Sequence, residues 1–405
     1  MEVIIKKGLP SGKISAPPSK SYAHRLLICA ALSGMKSSVK NVASSEDMLA
    51  TLDCIKTLGT PCRLTDGNVL LDQRDAGAYT GHFACRESGS TLRFFIPIAL
   101  ALGDVCEFKG TPRLISRGIS VYEDICKAQG IEIKQGEGTI RFNGRLHPDT
   151  FNVRGDISSQ FISGLFFALP LLDGDSIVKV TTTLESRPYV DITIDCLNRF
   201  GIEIVERANN EFFVKGNQKY KCLDTEVEGD FSNAAFLDAF ALLGADVSVN
   251  GLNFNSYQGD KVYIDLFKKI KNGYLEADIS ACPDLAPILF ALCAARDGGY
   301  ITGTKRLKIK ESDRAEAMAL ELSKLGIRLD VFENAVKIHK GELRTPTEAL
   351  SSHNDHRIVM ALSVIATLVG ATIEGAQAVS KSYPTFFDDL KRLGVKCEVK
   401  NEDNK

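Results

Sequence analysis

One arrangement of segments recurs six times along the sequence, and this repeat restricts the possible folds more than any other feature. Each copy has a polar or glycine-rich turn, an apolar helix-forming run, a glycine and a β-prone run. The copies begin near residues 17, 86, 154, 228, 278 and 353. Four of the five intervals are about seventy residues long, and the fourth, from residue 228 to residue 278, is nearer fifty. We therefore expect a chain of six related units.

A second, shorter helix-forming run follows in several copies, as in EDMLATLDCIKTLG and AEAMALELSKLG, and ends at a glycine. Strand-like runs come next, so the predicted unit is β-α-β-α-β-β. The alternative is that any α/β protein yields apolar helices ending in glycine, but GD-I/F-S recurs at residues 155–158 and 229–232. Three units per domain follow, with a boundary near residues 222–228. The long helices are apolar on almost all sides and should be buried.

Composition excludes several classes of protein. A chain of 405 residues is long enough for two domains. Its formal charge of −2 argues against a general nucleic-acid binder, so an anion site must be a local concentration of cations. The N-terminus lacks an apolar run of signal-peptide length, and the longest apolar stretches are too short to span a bilayer. We expect a cytoplasmic protein with no membrane partner.

The cysteines and histidines predict neither disulfides nor a metal site. The eleven cysteines are scattered without a CxxC pair, and most lie in apolar helical runs, as do Cys29, Cys196 and Cys293. This usage is typical of a reducing compartment. His353 and His356 are three residues apart, but no third ligand is evident, so we expect no metal.

Several long helices begin with groups suited to an anion. A helix N-terminus presents unpaired N–H groups and the positive end of the helix dipole. That position is normally unfavourable for cations, so a basic helix start indicates function. Lys310 and Arg314 flank a second such start; the alternative there is a solvated, charge-balanced helix start capped by Ser312. The anion-binding candidates in the long helices are Lys20, Ser21, Arg25, Ser88–Ser90, Ser158–Gln160 and Arg357.

These residues belong to stretches that resemble the 5-enolpyruvylshikimate-3-phosphate synthase family over nearly the whole chain. The resemblance implies an α/β fold of two inside-out α/β barrels, each of three βαβαββ repeats with buried parallel helices. It places the lobes at residues 14–224 and at residues 1–13 with 225–405, closing on a central cleft when both substrates bind. The matching stretches are PPSKSYAHR (17–25), SGSTLRF (88–94), GDISSQF (155–161), ESRPYVDIT (185–193), ADISACPDLAP (277–287), KIKESDR (308–314), NDHR (354–357) and KSYPTFF (381–387).

The resemblance implies transfer of the enolpyruvyl group of phosphoenolpyruvate to the 5-hydroxyl of shikimate 3-phosphate, in a monomer without cofactors. The N-terminal lobe would hold shikimate 3-phosphate, and the C-terminal lobe would complete the phosphoenolpyruvate site. The implied shikimate-3-phosphate ligands are Lys20, Ser21, Arg25, Ser158, Ser159, Gln160, Ser186, Tyr189, Asp284 and Lys310. The implied phosphoenolpyruvate ligands are Lys20, Gly89, Arg117, Gln160, Arg314, Arg357 and Lys381.

The implied chemistry is addition to C2 with protonation at C3, followed by loss of phosphate and of a C3 proton. Asp284 is the candidate base at the 5-hydroxyl, and Glu311, with Lys20, is the candidate acid and base at C3. The alternative for Asp284 is a stabilising charge at a helix start after Pro283. Burial would raise the pKa of such a carboxylate and neighbouring cations would lower it.

Four positions depart from the family pattern. Glu87 replaces a usual asparagine and would repel phosphoenolpyruvate unless Arg86 or Arg93 pairs with it. The other departures are Ser88 for alanine, Gly118 for proline, which would leave its loop freer, and Arg306 near an expected shikimate-binding asparagine.

Two other functions remain open. The sister transferase acting on UDP-N-acetylglucosamine carries a cysteine in its flexible loop, whereas residues 110–120 contain none. A non-catalytic anion-binding relative is the second alternative. It is disfavoured because the candidate catalytic and binding residues are retained together, namely Lys20, Asp284, Glu311, Arg314 and Lys381.

Overall fold

The computed structural model describes residues 1–208 and 210–400. The chain forms two compact units. We call residues 20–228 the first lobe, and residues 1–19 with 229–400 the second lobe. Each has its own hydrophobic core.

The chain starts with two strands of the second lobe, β1 (Glu2–Ile5) and β2 (Ser11–Ser15). The first lobe follows. Its helices are α1 (Lys20–Leu32), α2 (Glu46–Thr57), α3 (Gly89–Leu102), α4 (Pro112–Ser116), α5 (Ser120–Ala128), α6 (Ser159–Ala168) and α7 (Arg187–Arg199). Its strands are β3 (Ser37–Lys40), β4 (Cys62–Thr65), β5 (Asn68–Leu71), β6 (His82–Arg86), β7 (Val105–Gly110), β8 (Glu132–Gly136), β9 (Thr139–Asn143), β10 (Thr150–Val153), β11 (Ser176–Val180), β12 (Ile204–Arg207), β13 (Glu211–Val214) and β14 (Thr225–Glu226).

The rest of the second lobe continues the same alternation of helices and strands. Its helices are α8 (Phe231–Leu242), α9 (Tyr263–Asn272), α10 (Ala286–Ala294), α11 (Arg314–Lys324), α12 (His356–Val369) and α13 (Phe386–Arg392). Its strands are β15 (Asp246–Asn250), β16 (Leu275–Asp278), β17 (Gly299–Thr302), β18 (Leu329–Val331), β19 (Ala335–Ile338), β20 (Leu350–Ser351), β21 (Ala371–Glu374) and β22 (Cys397–Lys400).

The predicted β-α-β-α-β-β unit is confirmed by the sheets. In one of them β6 pairs in parallel with β7, β7 pairs antiparallel with β9, and β9 pairs antiparallel with β8. The same pattern recurs in the sheets ordered β10-β11-β13-β12 and β16-β17-β19-β18. The helix between the two parallel strands is the long helix of the repeat.

Strands distant in sequence complete the remaining units. β14 lies at the edge of the sheet ordered β14-β3-β5-β4, where it pairs in parallel with β3. β1 lies between β21 and β22 and pairs antiparallel with both, in the position that a hairpin strand has in the other units. In the fourth unit, β15 pairs in parallel with β2, and α9 leads directly to β16 without an intervening hairpin. The missing pair of strands explains why this interval of the sequence is nearer fifty residues than seventy.

The long helices are buried, as their sequences predicted. Every residue of α10 is buried, as are residues 22–32 of α1 and residues 356–367 of α12. Alternate residues of the surrounding strands face this core; in β6, for example, Phe83 and Cys85 are buried. Because the helix sides are covered, side chains at the helix starts are the ones left to form a site.

Most of the cysteine side chains are buried. All eleven cysteines are free thiols, and Cys29, Cys196 and Cys293 are fully buried. Within residues 1–208 and 210–400, every helix is too short or too polar to cross a membrane. The same residues contain no cluster of three or more His, Cys, Asp or Glu side chains arranged to hold a metal ion.

Candidate active site

The three long helices of the first lobe begin where the sequence predicted. α1 starts at Lys20, α3 starts after Ser88 and α6 starts after Ser158. The Ser88 and Ser158 hydroxyl oxygens accept hydrogen bonds from the N–H groups of Thr91 and Gln160, both at 3.3 Å. None of these helices has an acidic residue in its first turn. No carboxylate within these first turns therefore offsets the positive end of the helix dipole.

Gln160 joins the starts of α6 and α3. Its amide Nε2 donates to Ser90 Oγ at 2.9 Å, and its Oε1 accepts from Arg93 Nη1 at 2.8 Å. Arg93 is 5% exposed, and its guanidinium lies over the Phe161 ring. Sequence reasoning assigned Arg93 no binding role, although its position one turn after Gly89 indicates that it faces the same way.

Gly89 lets two guanidinium groups approach the α3 N-terminus. A Cβ atom at Gly89 would lie 3.0 Å from Arg117 Nη1 and 3.2 Å from Arg93 Nη1. The structure thus brings together the predicted residues Gly89, Arg117 and Gln160, with Arg93 as an additional cation. Two guanidiniums beside a helix N-terminus form a site suited to phosphate or carboxylate.

Lys20 pairs with a carboxylate that the sequence analysis missed. Its Nζ lies 2.8 Å from Asp47 Oδ2, and the two side chains are only 18% and 12% exposed. Asp47 is in the first turn of α2, 27 residues further along the chain, where it stabilises that helix start. No local pattern connects the two residues, because the fold alone brings α1 and α2 together.

Arg25 directs most of its donors into the protein. It is 3% exposed; Nε donates to Thr193 Oγ1 at 2.7 Å, Nη1 to the Ser21 carbonyl at 2.7 Å and Nη2 to the Tyr189 carbonyl at 3.1 Å. Burial lowers the pKa of Arg25 to about 10, so it stays charged at neutral pH. Arg25 therefore ties α1 to the first turn of α7, where Ser186 precedes the helix in a left-handed conformation.

In the second lobe, Arg314 collects three carboxylates. Its side chain is 1% exposed, with Nη1 2.8 Å from Asp284 Oδ1, Nη2 2.8 Å from Glu311 Oε2 and Nε 2.9 Å from Asp355 Oδ2. Asp355, which is fully buried and caps α12, was not predicted from the sequence. One guanidinium thus holds both candidate catalytic carboxylates of this lobe.

Asp284 also contacts two further cations. Lys310 Nζ lies 3.5 Å from Asp284 Oδ1, and Arg357 Nη2 lies 3.2 Å from Asp284 Oδ2. Burial acts to raise the pKa of Asp284, but Lys310, Arg357 and Arg314 together hold it well below its ordinary value. The balance left open by the sequence therefore favours the ionised carboxylate. Asp284 therefore pairs with three cations, in addition to any effect of its charge on the helix start after Pro283.

The alternative reading of KESDR as a solvated helix start capped by Ser312 is wrong. Asp313 caps α11, accepting from the Glu316 N–H at 3.3 Å. Ser312 is buried and donates to Asp355 Oδ2 at 3.1 Å instead. A buried Arg314 needs carboxylate partners, and this requirement turns the segment inward.

Arg357 and Lys381 lie around the turn that precedes α12. Arg357 is 3% exposed, and its backbone N–H donates to Asp355 Oδ1 at 2.9 Å. Its Nε and Nη1 atoms are buried without a hydrogen-bond partner within the described residues. Lys381 Nζ donates to the Asn354 carbonyl at 2.7 Å. Guanidinium nitrogens that lack acceptors suit an anionic ligand.

Comparison with known proteins identifies the family. The sequence model of the family EPSP synthase (3-phosphoshikimate 1-carboxyvinyltransferase) matches residues 6–390 of this chain. The chain belongs to the EPSP synthase family. The 3-phosphoshikimate 1-carboxyvinyltransferase of Clostridium kluyveri is 41% identical over 406 positions, and that of Clostridium acetobutylicum is 43% identical over 407. Each alignment covers 95% of this chain and 95% of the relative.

Solved structures share the EPSP synthase fold. EPSP synthase from Acinetobacter baumannii superposes with a TM-score of 0.78 at 23% identity, over 99% of this chain and all of that one. The enolpyruvyl transferase NikO from Streptomyces tendae gives a TM-score of 0.74 at 14% identity, over 98% of each chain. At these identities the likeness establishes the fold alone.

The departures from the EPSP synthase pattern have structural correlates. Arg86, one expected partner of Glu87, donates to Glu46 and Asp53 at 2.6 and 2.9 Å, and Arg93, the other, donates to Gln160 at 2.8 Å. Gly118 has a φ of 74°, which proline cannot adopt, and its N–H donates to the Ile115 carbonyl at 3.0 Å.

Arg306 is another of the four departures. It is 8% exposed and donates to the Ser280 carbonyl. Its guanidinium therefore bonds the loop between β16 and α10, which leads to Asp284.

Proposed function

We propose that the chain transfers the enolpyruvyl group of phosphoenolpyruvate to the 5-hydroxyl of shikimate 3-phosphate, with release of phosphate. Membership of the EPSP synthase family carries this proposal, because the family model spans residues 6–390. The paired cations and carboxylates of each lobe support it, since both substrates are anions and the addition needs acid–base groups.

Shikimate 3-phosphate binding is assigned mainly to the first lobe. The helix starts at Lys20 and Ser159 offer N–H groups to its phosphate. Arg25 contributes by orienting the Ser21 and Tyr189 segments, consistent with its internal hydrogen bonds. The proposed ligands are Lys20, Ser21, Arg25, Ser158, Ser159, Gln160, Ser186, Tyr189, Asp284 and Lys310.

Phosphoenolpyruvate binding is assigned to cations of both lobes. The Gly89 turn, with the neighbouring Arg117, is a suitable contact for one anionic group. Arg357 is suited to another, because its Nε and Nη1 have no acceptor within the described residues. The proposed ligands are Lys20, Gly89, Arg117, Gln160, Arg314, Arg357 and Lys381.

The proposed reaction is an addition followed by an elimination. The 5-hydroxyl oxygen bonds to C2 of phosphoenolpyruvate and loses its proton, while C3 gains a proton to become a methyl group. The C2–O bond to phosphate then breaks, and a C3 proton leaves to restore the double bond. Phosphate carries away the bonding electron pair, so no redox cofactor or metal is needed for balance.

Asp284 is proposed as the base at the 5-hydroxyl. Arg314, Arg357 and Lys310 keep its carboxylate ionised, so it is ready to accept a proton at neutral pH. The same cations weaken it as a base, and we infer that proton transfer occurs late, as the hydroxyl oxygen bonds to C2 and becomes acidic. The cations also stabilise negative charge near the reacting atoms.

Glu311, assisted by Lys20, is proposed to move the C3 proton. Glu311 Oε2 bonds Arg314 Nη2 at 2.8 Å, and its side chain is 23% exposed. This contact leaves it oriented by the same guanidinium that orients Asp284. Lys20, which lies beside Asp47, is proposed to donate a proton or to stabilise the departing phosphate.

The family match favours shikimate 3-phosphate over UDP-N-acetylglucosamine as acceptor, and residues 110–120 lack the cysteine of the sister transferase. We further propose that the enzyme is a cytoplasmic monomer. The free thiols of all eleven cysteines are consistent with a reducing compartment.

Phosphate release from purified protein tests the function. We expect release with phosphoenolpyruvate and shikimate 3-phosphate together, and none with either alone. Release that requires UDP-N-acetylglucosamine instead would assign the chain to the sister activity. Binding of both anions by calorimetry without any release would favour the non-catalytic alternative.

A further inference from the structure

Glu321 is a buried carboxylate on the helix that begins with Arg314. It lies seven residues, or two turns, beyond Arg314 on the same face of α11, and its side chain is 0% exposed. The carboxylate accepts from the Ser351 N–H at 2.9 Å and interacts with Lys324 Nζ at 3.0 Å. His353 Nε2 lies 2.7 Å from its Oε1. The carboxylate oxygen is the acceptor in this hydrogen bond, and His353 Nε2 is its donor.

The His353 contact anchors a turn with an unusual backbone. His353 and the following Asn354 both have left-handed φ values, 49° and 54°. Non-glycine residues seldom adopt this conformation, and two in succession persist only where surrounding contacts hold them. Local bonds from the His353 and Asn354 N–H groups to Ser351 Oγ and Ser352 Oγ, at 3.2 and 3.1 Å, assist the turn. Glu321 is its anchor outside the turn.

This turn is connected to three residues of the candidate active site, namely Lys381, Asp355 and Arg357. The Asn354 carbonyl accepts from Lys381 Nζ, and Asp355 caps α12 and pairs with Arg314. Arg357 follows in the first turn of α12. A shift of the turn therefore moves Lys381 and Arg357 relative to Arg314. The Ser352 carbonyl accepts from the Asp355 N–H at 2.9 Å, so the displacement is transmitted along the backbone.

We propose that Glu321 and His353 are positioning residues for phosphoenolpyruvate, holding the turn so that Lys381 and Arg357 are correctly placed. Neither residue is proposed to touch the substrate. The inference rests on the proposed assignment of Lys381 and Arg357 as phosphoenolpyruvate ligands. It adds a residue pair that sets affinity for one of the two substrates.

The His353→Gly variant removes the contact with Glu321 but remains compatible with the left-handed backbone at residue 353. Glycine adopts a positive φ readily, so the turn remains accessible, but the imidazole bond to Glu321 is lost. We expect KM for phosphoenolpyruvate to rise about tenfold, the effect of losing one hydrogen bond to a charged group. KM for shikimate 3-phosphate and kcat should change less than about threefold, because a loss of positioned ligands weakens binding of that substrate selectively.

Two further variants control the experiment. His353→Gln restores an N–H donor toward Glu321, and its KM for phosphoenolpyruvate should lie closer to wild type than that of His353→Gly. His339→Gly removes a similar pair, in which His339 Nε2 lies 2.7 Å from Asp330 Oδ2 on the β18–β19 hairpin, and should leave every kinetic constant unchanged.

The outcomes distinguish this inference from the ligand assignment. Lys381→Met should raise KM for phosphoenolpyruvate; if it does and His353→Gly does not, the positioning role is wrong. A loss of kcat in His353→Gly with both KM values unchanged would indicate structural damage and also overturns it. If Lys381→Met leaves that KM unchanged, the ligand assignment fails and the positioning role fails with it, while turnover by the wild type still supports the proposed function.

Discussion

Arg314 Nη1 donates to Asp284 Oδ1 at 2.8 Å, and the same buried guanidinium bonds Glu311 and Asp355. Three carboxylates around one guanidinium would repel each other without further cations. Lys310 and Arg357 supply them at Asp284. The arrangement keeps Asp284 ionised, fixes its direction and ties it to the proposed phosphoenolpyruvate ligands.

Asp284→Asn tests the proposed base. The amide oxygen can still accept from Arg314, so the fold should persist, but the amide cannot take the hydroxyl proton. We expect kcat to fall by about 10²–10⁴, the usual contribution of general acid–base catalysis. Asp297→Asn, which alters an exposed partner of Lys340, is the matched control. Normal turnover by Asp284→Asn would remove the assignment.

Arg314→Met should destabilise the second lobe strongly. The change leaves Asp355, which is 0% exposed, without its guanidinium partner. Breaking a buried ion pair by removing one member costs about 3–5 kcal/mol. Urea unfolding measures the loss, and Arg328→Met, which removes a 76% exposed arginine paired with Asp330, should cost less than about 1 kcal/mol. Equal losses in the two variants would contradict the account.

Gly89→Ala should weaken phosphoenolpyruvate binding without unfolding the protein. The new methyl group would lie 3.0 Å from Arg117 Nη1 and 3.2 Å from Arg93 Nη1, so both guanidiniums must move. The helix itself should tolerate alanine, because alanine has the higher helix propensity. We expect KM for phosphoenolpyruvate to rise and KM for shikimate 3-phosphate to stay near wild type. An unchanged KM for phosphoenolpyruvate would show that these cations do not bind it.

Asp260 makes stability depend on pH in a defined window. It is 2% exposed, and burial, with Asp284 nearby, raises its pKa to about 7. Ser232, Arg357 and Asp230 are the other groups facing it. Because this pKa is higher in the folded state than in the unfolded chain, the folded state binds the proton more tightly. Stability from this group is therefore lost as pH rises from about 4, the ordinary Asp value, toward 7.

Asp260→Asn should remove that loss. Relative to wild type, the variant should gain stability with a slope of up to about 1.4 kcal/mol per pH unit across this window, then stay level. The Asp284 pKa is lowered, so its contribution is lost only below about pH 4 and does not overlap. Urea unfolding at pH 5, 6, 7 and 8 measures the difference, and a constant difference would disprove the raised pKa.

The local elements of the fold were predictable because they depend on short-range patterns. Apolar runs closed by glycine located the long helices, and the serines before Gly89 and Ser159 proved to be their caps. The unit order followed from the alternation of helices and strands. The stretches around Lys20, Gly89 and Arg314 then indicated the family.

The pairings that shape the site were not predictable, because they join residues distant in sequence. Asp47 lies opposite Lys20 only when α1 and α2 pack, and Asp355 reaches Arg314 from 41 residues away. Likewise β1 and β2, at the start of the chain, complete sheets with strands from its second half. No local periodicity specifies such partners.

The fate of the C2 carbon of phosphoenolpyruvate decides whether the protein catalyses the proposed enolpyruvyl transfer. Phosphoenolpyruvate carrying 13C at C2 would be incubated with the protein and shikimate 3-phosphate and followed by NMR. We expect the label to appear in an enolpyruvyl ether of shikimate 3-phosphate, with one phosphate released for each ether formed. Label found only in pyruvate, or remaining in phosphoenolpyruvate, would contradict it.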